Sequence, residues 1–218
     1  MPARRLIYLH GFVSSPKAHK AGLFAEALKG RGVTLEIPDL NEPSFAELTV
    51  SRQLALLDRL TEAEPPRSVA LIGSSLGGYV AALQAARSEK VARLVLMAPA
   101  FDFHRRWADR MGPAAVEEWR RRGFMLVFHH GTGQLEPIRF SLLEDAAGHL
   151  AFPATPVPCL LFQGRKDEVV DPAGAERYAA QRPGLVELEL EDDDHTLAAT
   201  APHIVERSLR FLGYCDAV

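Results

Sequence analysis

The sequence predicts an α/β fold in which one mostly parallel sheet is covered by helices on both faces. Three observations lead there. Short aliphatic and β-branched runs alternate with longer stretches of helical periodicity, and repeated strand–helix alternation closes as a parallel sheet with crossover helices. The runs Leu71-Ile72 and Leu94-Val95-Leu96 are continuously apolar, as strands buried on both faces are. The chain has 218 residues, 47% hydrophobic and 24% charged, enough for one substantial core. Residues 1–218 therefore read as a single domain.

Taken in order, Leu6-Ile7-Tyr8-Leu9 reads as the first strand, and a helix follows from about Lys17 to Arg31. Val33 to Ile37 is the second strand. Leu48, Leu54, Leu57 and Leu60 stand near helical spacing in a helix from about Ser44 to Ala63. Val69-Ala70-Leu71-Ile72 is the third strand, with a helix from Leu76 to Ser88 behind it. Val91 to Met97 and Val157 to Gln163 are the fourth and fifth strands. Pro172 suits the first turn of a helix running to about Gln181. Val186 to Leu190 is the sixth strand, and a last helix spans roughly Pro202 to Leu212. Between the fourth and fifth strands, from about 101 to 153, no strong sheet strand stands out. Helical pieces (Trp107 to Met111, Ala114 to Arg122) flank an ambiguous run, Phe124 to Phe128, and the whole reads as a small cap inserted into the core. Pro153-Ala154-Thr155-Pro156-Val157-Pro158 is the return linker.

Composition removes several classes of function. A net charge of −3 and a sequence pI of about 6.2 give no reason to expect a nucleic-acid partner. Cys159 lies in an apolar run and Cys215 in the C-terminal tail, which is neither a disulfide framework nor a metal or redox motif. The N-terminal apolar run is too short for a signal-peptide core or a membrane span, so a cytoplasmic location is expected. His129 and His130 are adjacent and point apart on any regular element, and no third ligand stands at metal spacing, so neither metal nor cofactor is expected. The sequence carries no signature of oligomeric state.

Chemistry concentrates at Gly73-Ser74-Ser75-Leu76-Gly77-Gly78, directly between a strand and a helix. A nucleophilic serine must project from a sharp turn where neighbouring side chains would collide, and glycine accepts both the crowding and the dihedrals. A hydroxyl is a poor nucleophile at neutral pH, so it needs a base, and the base an orienting acid. The elbow motif sets the order Ser, then Asp or Glu, then His. Asp167 follows the fifth strand and His195 the sixth, in loops that an open α/β sheet gathers at one edge. Glu168 and Asp171 are rivals for the acid. The Leu76 N–H and the Phe12 N–H, in His10-Gly11-Phe12-Val13, are the candidate oxyanion donors. His10, at a strand end, reads as shaping that loop.

With these residues in place the chain resembles the α/β-hydrolase family. The resemblance rests on His10-Gly11-Phe12, Gly73-Ser74-Ser75-Leu76-Gly77-Gly78, Gly164-Arg165-Lys166-Asp167 and Asp194-His195, and its serine esterase branch includes the similar small bacterial YqiA-like esterases. It implies a three-layer sandwich and the triad Ser75, Asp167 and His195. It also implies an eight-stranded sheet, whereas about six strands are readable here, and a shorter insertion than this one. The expected activity is hydrolysis of a small-molecule carboxylic ester or thioester through an acyl-enzyme. Amide, peptide or carbon–carbon bond cleavage on the same triad is the alternative, as is a non-catalytic binding protein on the same fold. The insertion also carries Arg105, Arg106, Arg110, Arg120, Arg121, Arg122 and Arg139. Most read as a solvated face, while one or two gripping an anionic part of the substrate is the sharper reading.

Overall fold

The computed structural model describes residues 3–214, so Cys215 lies outside the described residues. In chain order the elements are β1 (Arg5–Leu9), α1 (His19–Leu28), β2 (Leu35–Glu36), a 3₁₀ turn (Phe45–Glu47), α2 (Val50–Thr61), β3 (Val69–Ser74), α3 (Leu76–Arg87) and β4 (Val91–Met97). Then come α4 (Phe103–Met111), α5 (Pro113–Arg122), β5 (Phe124–His129), β6 (Gln134–Arg139), α6 (Ser141–Ala147), β7 (Cys159–Gly164), α7 (Pro172–Ala180), β8 (Val186–Glu191) and α8 (Ala201–Leu212).

Six strands form one sheet in the order β2-β1-β3-β4-β7-β8, and every neighbouring pair is parallel. The strand side chains alternate between two cores. Leu6, Tyr8, Ile72, Val95 and Phe162 pack with Phe24 and Leu28 of α1 and Ile204 and Leu209 of α8. Ile7, Leu9, Leu71, Leu96 and Leu161 pack on the other face with Leu54, Tyr79 and Tyr178 from α2, α3 and α7. The three-layer α/β architecture expected from the sequence is therefore present. The order reverses at β1, whose neighbours are β2 on one side and β3 on the other, and a crevice at such a switch point is where open α/β sheets bind ligands.

Three expectations need correction. The strand Val33 to Ile37 shrinks to Leu35–Glu36 at the sheet edge. The helix from Ser44 to Ala63 is broken, because Thr49 is extended and its side chain accepts the Arg52 N–H, which starts α2 afresh. The stretch 101–153 does contain strands. β5 and β6 form a two-stranded antiparallel ribbon whose first strand is apolar at five successive positions, so the period-2 signal is hidden. Phe124, Leu126 and Phe128 point outward and are about half exposed, while Ile138 is buried. The ribbon turn is tied to the loop after β1, since the His130 N–H donates to the Val13 carbonyl at 2.9 Å. Trp119 of α5 is buried against Trp107 and Phe140 and donates its Nε1–H to the Ile138 carbonyl at 3.0 Å. Among the described residues no helix is long and apolar enough to cross a membrane.

Candidate active site

Ser75 sits at the tip of the turn between β3 and α3 with φ 53° and ψ −118°, a region that L-residues avoid unless the surroundings over-determine it. They do so here. Its N–H donates to the Met97 carbonyl at 2.9 Å, and its own carbonyl accepts from Tyr79 N–H at 3.1 Å and Ala100 N–H at 3.0 Å. The turn also needs Gly77. A Cβ there would stand 2.3 Å from the Leu9 carbonyl oxygen and 2.5 Å from that of His10, so only glycine lets α3 start against β1. Val13, Ala98, Asp102 and Leu197 are further non-glycine residues with positive φ in loops beyond strand carboxyl ends, and Arg67, just before β3, is the exception. Strain thus collects around Ser75, which is where functional sites store it.

The residues proposed from chain order meet in space. His195 Nε2 lies 3.0 Å from Ser75 Oγ, and its Nδ1 lies 2.8 Å from Asp167 Oδ2. Asp167, whose side chain is fully buried, also accepts from Gln163 Nε2 at 2.8 Å. Its other oxygen takes the Val169 and Val170 N–H groups at 2.8 and 2.7 Å. Burial alone would raise the Asp167 pKa. The bonds from His195, Val170 and Gln163, with the His195 charge, outweigh burial and hold the carboxyl below its ordinary value. An ionised Asp167 fixes the ring with Nδ1–H toward the carboxylate and a free lone pair on Nε2 toward Ser75. Neither rival acid is so placed. Asp171 accepts the Ala173 N–H as the cap of α7, and Glu168 makes no hydrogen bond to His195 among the described residues.

Sequence reasoning missed two supports of this geometry, Gln163 and Asp193, and gave no role to a third, Gly164. Gln163 is a polar residue ending an apolar strand, a signal that could have been read. Asp193 is buried and accepts from the Asp194 N–H, the Thr200 N–H and the Thr200 hydroxyl, which shapes the loop carrying His195. Gly164 lets that loop pass against β7, because a Cβ there would meet the Asp194 carbonyl at 2.4 Å.

His10 is buried; its Nδ1–H donates to the Gly11 carbonyl and its Nε2 accepts the Leu40 N–H at 3.1 Å. Both ring nitrogens are used in shaping the loop after β1. Burial pushes its pKa down, against the bond to Gly11 and the nearby Asp39, so the ring is held neutral. The Leu76 N–H opens α3 and has no intrahelical acceptor, and the Phe12 N–H likewise has no backbone acceptor among the described residues. Both are free to meet a developing negative charge.

Two cavities flank Ser75. One, of about 180 Å³, is walled by Phe12, Phe101, Phe103, Trp107 and Val170, with Arg106 and Arg110 at its edge. The other, of about 260 Å³, is lined by Tyr8, Ser14, His19, Lys20, His195 and Thr196. The arginines of the insertion divide accordingly. Arg105 pairs with Asp102, Arg120 with Glu117, Arg121 and Arg122 with Glu118, and Arg139 with Glu47. Arg106 donates to the Val169 carbonyl at 2.9 Å; among the described residues neither it nor Arg110 has a carboxylate partner. Glu189, Glu191 and His203 also lie close together, but His203 bridges the two carboxylates and Arg207 pairs with Glu187 and Glu189. These contacts join β8 to α8.

A family model described as "Uncharacterised protein family (UPF0227)" matches residues 5–212. Among curated proteins none matches the chain. Similar solved structures include alpha/beta hydrolase domain-containing protein 10 from mouse, 23% identical over 95% of this chain and 89% of that one, TM-score 0.77. The alpha/beta hydrolase GrgF from Penicillium sp. sh18 is 18% identical over 97% and 91%, TM-score 0.71. Est1E from Butyrivibrio proteoclasticus with bound ferulic acid is 18% identical over 97% and 90%, TM-score 0.70. At these identities the likeness is one of fold, and the fold is that of the α/β-hydrolases.

Proposed function

The chain belongs to the uncharacterised protein family UPF0227, which bears out its resemblance to YqiA-like proteins, and on that footing we propose that it is a serine hydrolase acting on carboxylic esters or thioesters. The observation that carries the reading is the unbroken relay from Ser75 Oγ through His195 to Asp167, at 3.0 and 2.8 Å. Ser75 Oγ attacks the substrate carbonyl carbon while His195 Nε2 takes its proton. Negative charge then develops on the carbonyl oxygen and is met by the Phe12 and Leu76 N–H groups. His195 returns the proton to the departing alkoxide or thiolate, leaving Ser75 acylated. Water repeats the sequence with His195 as base and frees the acid. No cofactor enters these steps. Removing one oxyanion donor costs about 10²–10³ in rate in enzymes of this chemistry.

In this reading residues 1–218 are one α/β-hydrolase domain, and residues 101–153 are a cap over the carboxyl edge of the sheet. Phe101, Phe103 and Trp107 wall the cavity beside Ser75, and the ribbon bonds to the loop that carries Phe12. The direct test is a fluorophosphonate probe followed by peptide mapping. The expected outcome is a single adduct on Ser75, lost in Ser75→Ala together with hydrolysis of p-nitrophenyl esters. Folded protein that leaves Ser75 unlabelled would instead favour a non-catalytic binding role. Aminoacyl amides hydrolysed faster than esters of the same acid would move the assignment to amide cleavage.

A further inference from the structure

The two cavities beside Ser75 are not equivalent, because only one of them reaches the proton donor. The leaving group must receive its proton from His195 Nε2, so it has to lie on the side of Ser75 where His195 forms the wall. That wall belongs to the other cavity, where Ser14, His19, Lys20 and Thr196 stand among apolar Phe12, Ala18 and Ala198. The aromatic cavity touches Ser75 and Phe12 but not His195. Phe12 lines both, as the residue whose N–H meets the carbonyl oxygen at their junction must. We propose that the aromatic cavity is the acyl site and the His195-walled cavity the leaving-group site. The substrate is then an ester or thioester joining a single-ring aromatic acid to a polar alcohol or thiol. The inference rests on the serine hydrolase reading above and adds the substrate class to it.

Size and chemistry agree on each side. A dry cavity of about 150 Å³ accepts one benzene ring, so the acyl site at about 180 Å³ has room for one ring. Its walls offer ring edges and faces: Phe12 lies edge-on to Trp107 with centroids 4.9 Å apart, and Trp107 lies 5.0 Å from Phe103. An aromatic acyl group adds to such a cluster at the separations that aromatic pairs favour. On the opposite side, Lys20 donates to the Thr196 carbonyl, in the same loop as His195. Burial pushes the Lys20 pKa down, against the pull of Asp193 and Asp194. A hydroxyl-bearing leaving group there finds cationic and hydroxyl partners, whereas an alkyl leaving group would strip water from them without replacing it.

Transient kinetics separates the sites, because the leaving group is gone before deacylation begins. In the wild-type protein p-nitrophenyl benzoate is expected to exceed p-nitrophenyl octanoate by about tenfold in kcat/KM, the scale on which a pocket discriminates shape. Glyceryl benzoate is expected to acylate faster than butyl benzoate. Trp107→Leu should slow deacylation of the benzoyl-enzyme. His19→Ala should act on acylation by erasing the advantage of the glyceryl ester. Faster turnover of octanoate, or substitutions in the His195-walled cavity that move deacylation while Trp107→Leu moves only acylation, would overturn the assignment. The wild-type ester series decides the matter even where a variant fails to fold. Absence of hydrolysis of every ester would overturn the hydrolase reading and this inference together, whereas hydrolysis with the opposite preferences overturns the inference alone.

Discussion

Replacing Asp167 by Asn should abolish turnover while leaving the fold in place, and the hydrogen bonds around it show why. The oxygen that faces Val169 N–H and Val170 N–H, at 2.8 and 2.7 Å, must remain an oxygen, since two buried backbone donors would otherwise be stranded. The Asn NH₂ is then forced toward Gln163 and His195. Gln163 adapts by flipping its amide, so that Oε1, buried without a partner, accepts, but Nε2 then leaves the Gly164 and Val170 carbonyls at 3.3 and 3.4 Å. His195 adapts only by moving its proton from Nδ1 to Nε2, which then donates to Ser75 and can no longer take its proton. The same wrong-tautomer effect in a serine triad costs about 10⁴ in kcat, or about 5 kcal/mol of activation free energy. The stability cost should be about 1–3 kcal/mol, because the flip strands the buried Gln163 amide N–H while the other donors keep acceptors. The acid limb should change as well. The folded Asp167 carboxyl lies below its ordinary value, so its contribution to stability is present above the ordinary carboxylate range and is lost as pH falls through the folded pKa. Asp167→Asn lacks that loss. Stopped-flow hydrolysis of p-nitrophenyl benzoate near neutral pH, with urea unfolding in parallel, measures both effects. Retention of more than about a tenth of the wild-type rate would refute the tautomer reasoning, most clearly if Glu168→Gln or Asp171→Asn proved inactive instead.

Other expectations follow from the same contacts. His10 is held neutral by burial, so the unfolded chain binds its proton first. Stability should then decline as pH falls below about 6.5, and His10→Gln should flatten that part of the curve; an unchanged slope in urea titrations would contradict it. Trp119→Ala should lose about 3–5 kcal/mol, and Trp119→Phe, which keeps the ring but drops the bond to Ile138, about 1 kcal/mol; equal midpoints for both in urea would refute this. Among the described residues Arg106 and Arg110 lack carboxylate partners at the mouth of the aromatic cavity, so 4-carboxybenzoyl esters should exceed 4-methylbenzoyl esters by about tenfold after correction for intrinsic reactivity. Arg110→Gln should reduce the difference, and no preference in the wild type would remove the arginines from substrate binding.

The parts of this molecule that are legible in its sequence are those written locally. The glycines around Ser75 announce a tight turn, because only the absence of side chains admits α3 against β1. The strand and helix on either side announce themselves by period. Asp167 and His195 are legible through order alone, since parallel topology delivers every strand's carboxyl end to one edge. What stays hidden depends on how the loops fold and which segments pair. The partner of Gln163 is four residues away but chosen by loop geometry, and the buried role of Asp193 depends on Thr200. In Phe124 to Phe128 every position is apolar, so no alternation separates strand from helix. Pairing with Gln134–Arg139 decides the matter, and the sequence alone does not state that pairing. The seven arginines look alike in sequence, and only their carboxylate neighbours sort them into two at the cavity and five elsewhere.

The backbone bonds that hold Ser75 at its unfavourable dihedrals have a consequence for how the protein loses activity. The N–H and carbonyl of Ser75 reach Met97, Tyr79 and Ala100, so the turn cannot open without parting β3 from β4 or unwinding the start of α3. No smaller unit of structure exists there to melt alone. Amide exchange at Ser75 should therefore proceed through the same cooperative opening that exposes the central strands, and slowly. Thermal inactivation should track loss of the whole sheet, with no earlier stage in which a folded body carries a slackened nucleophile.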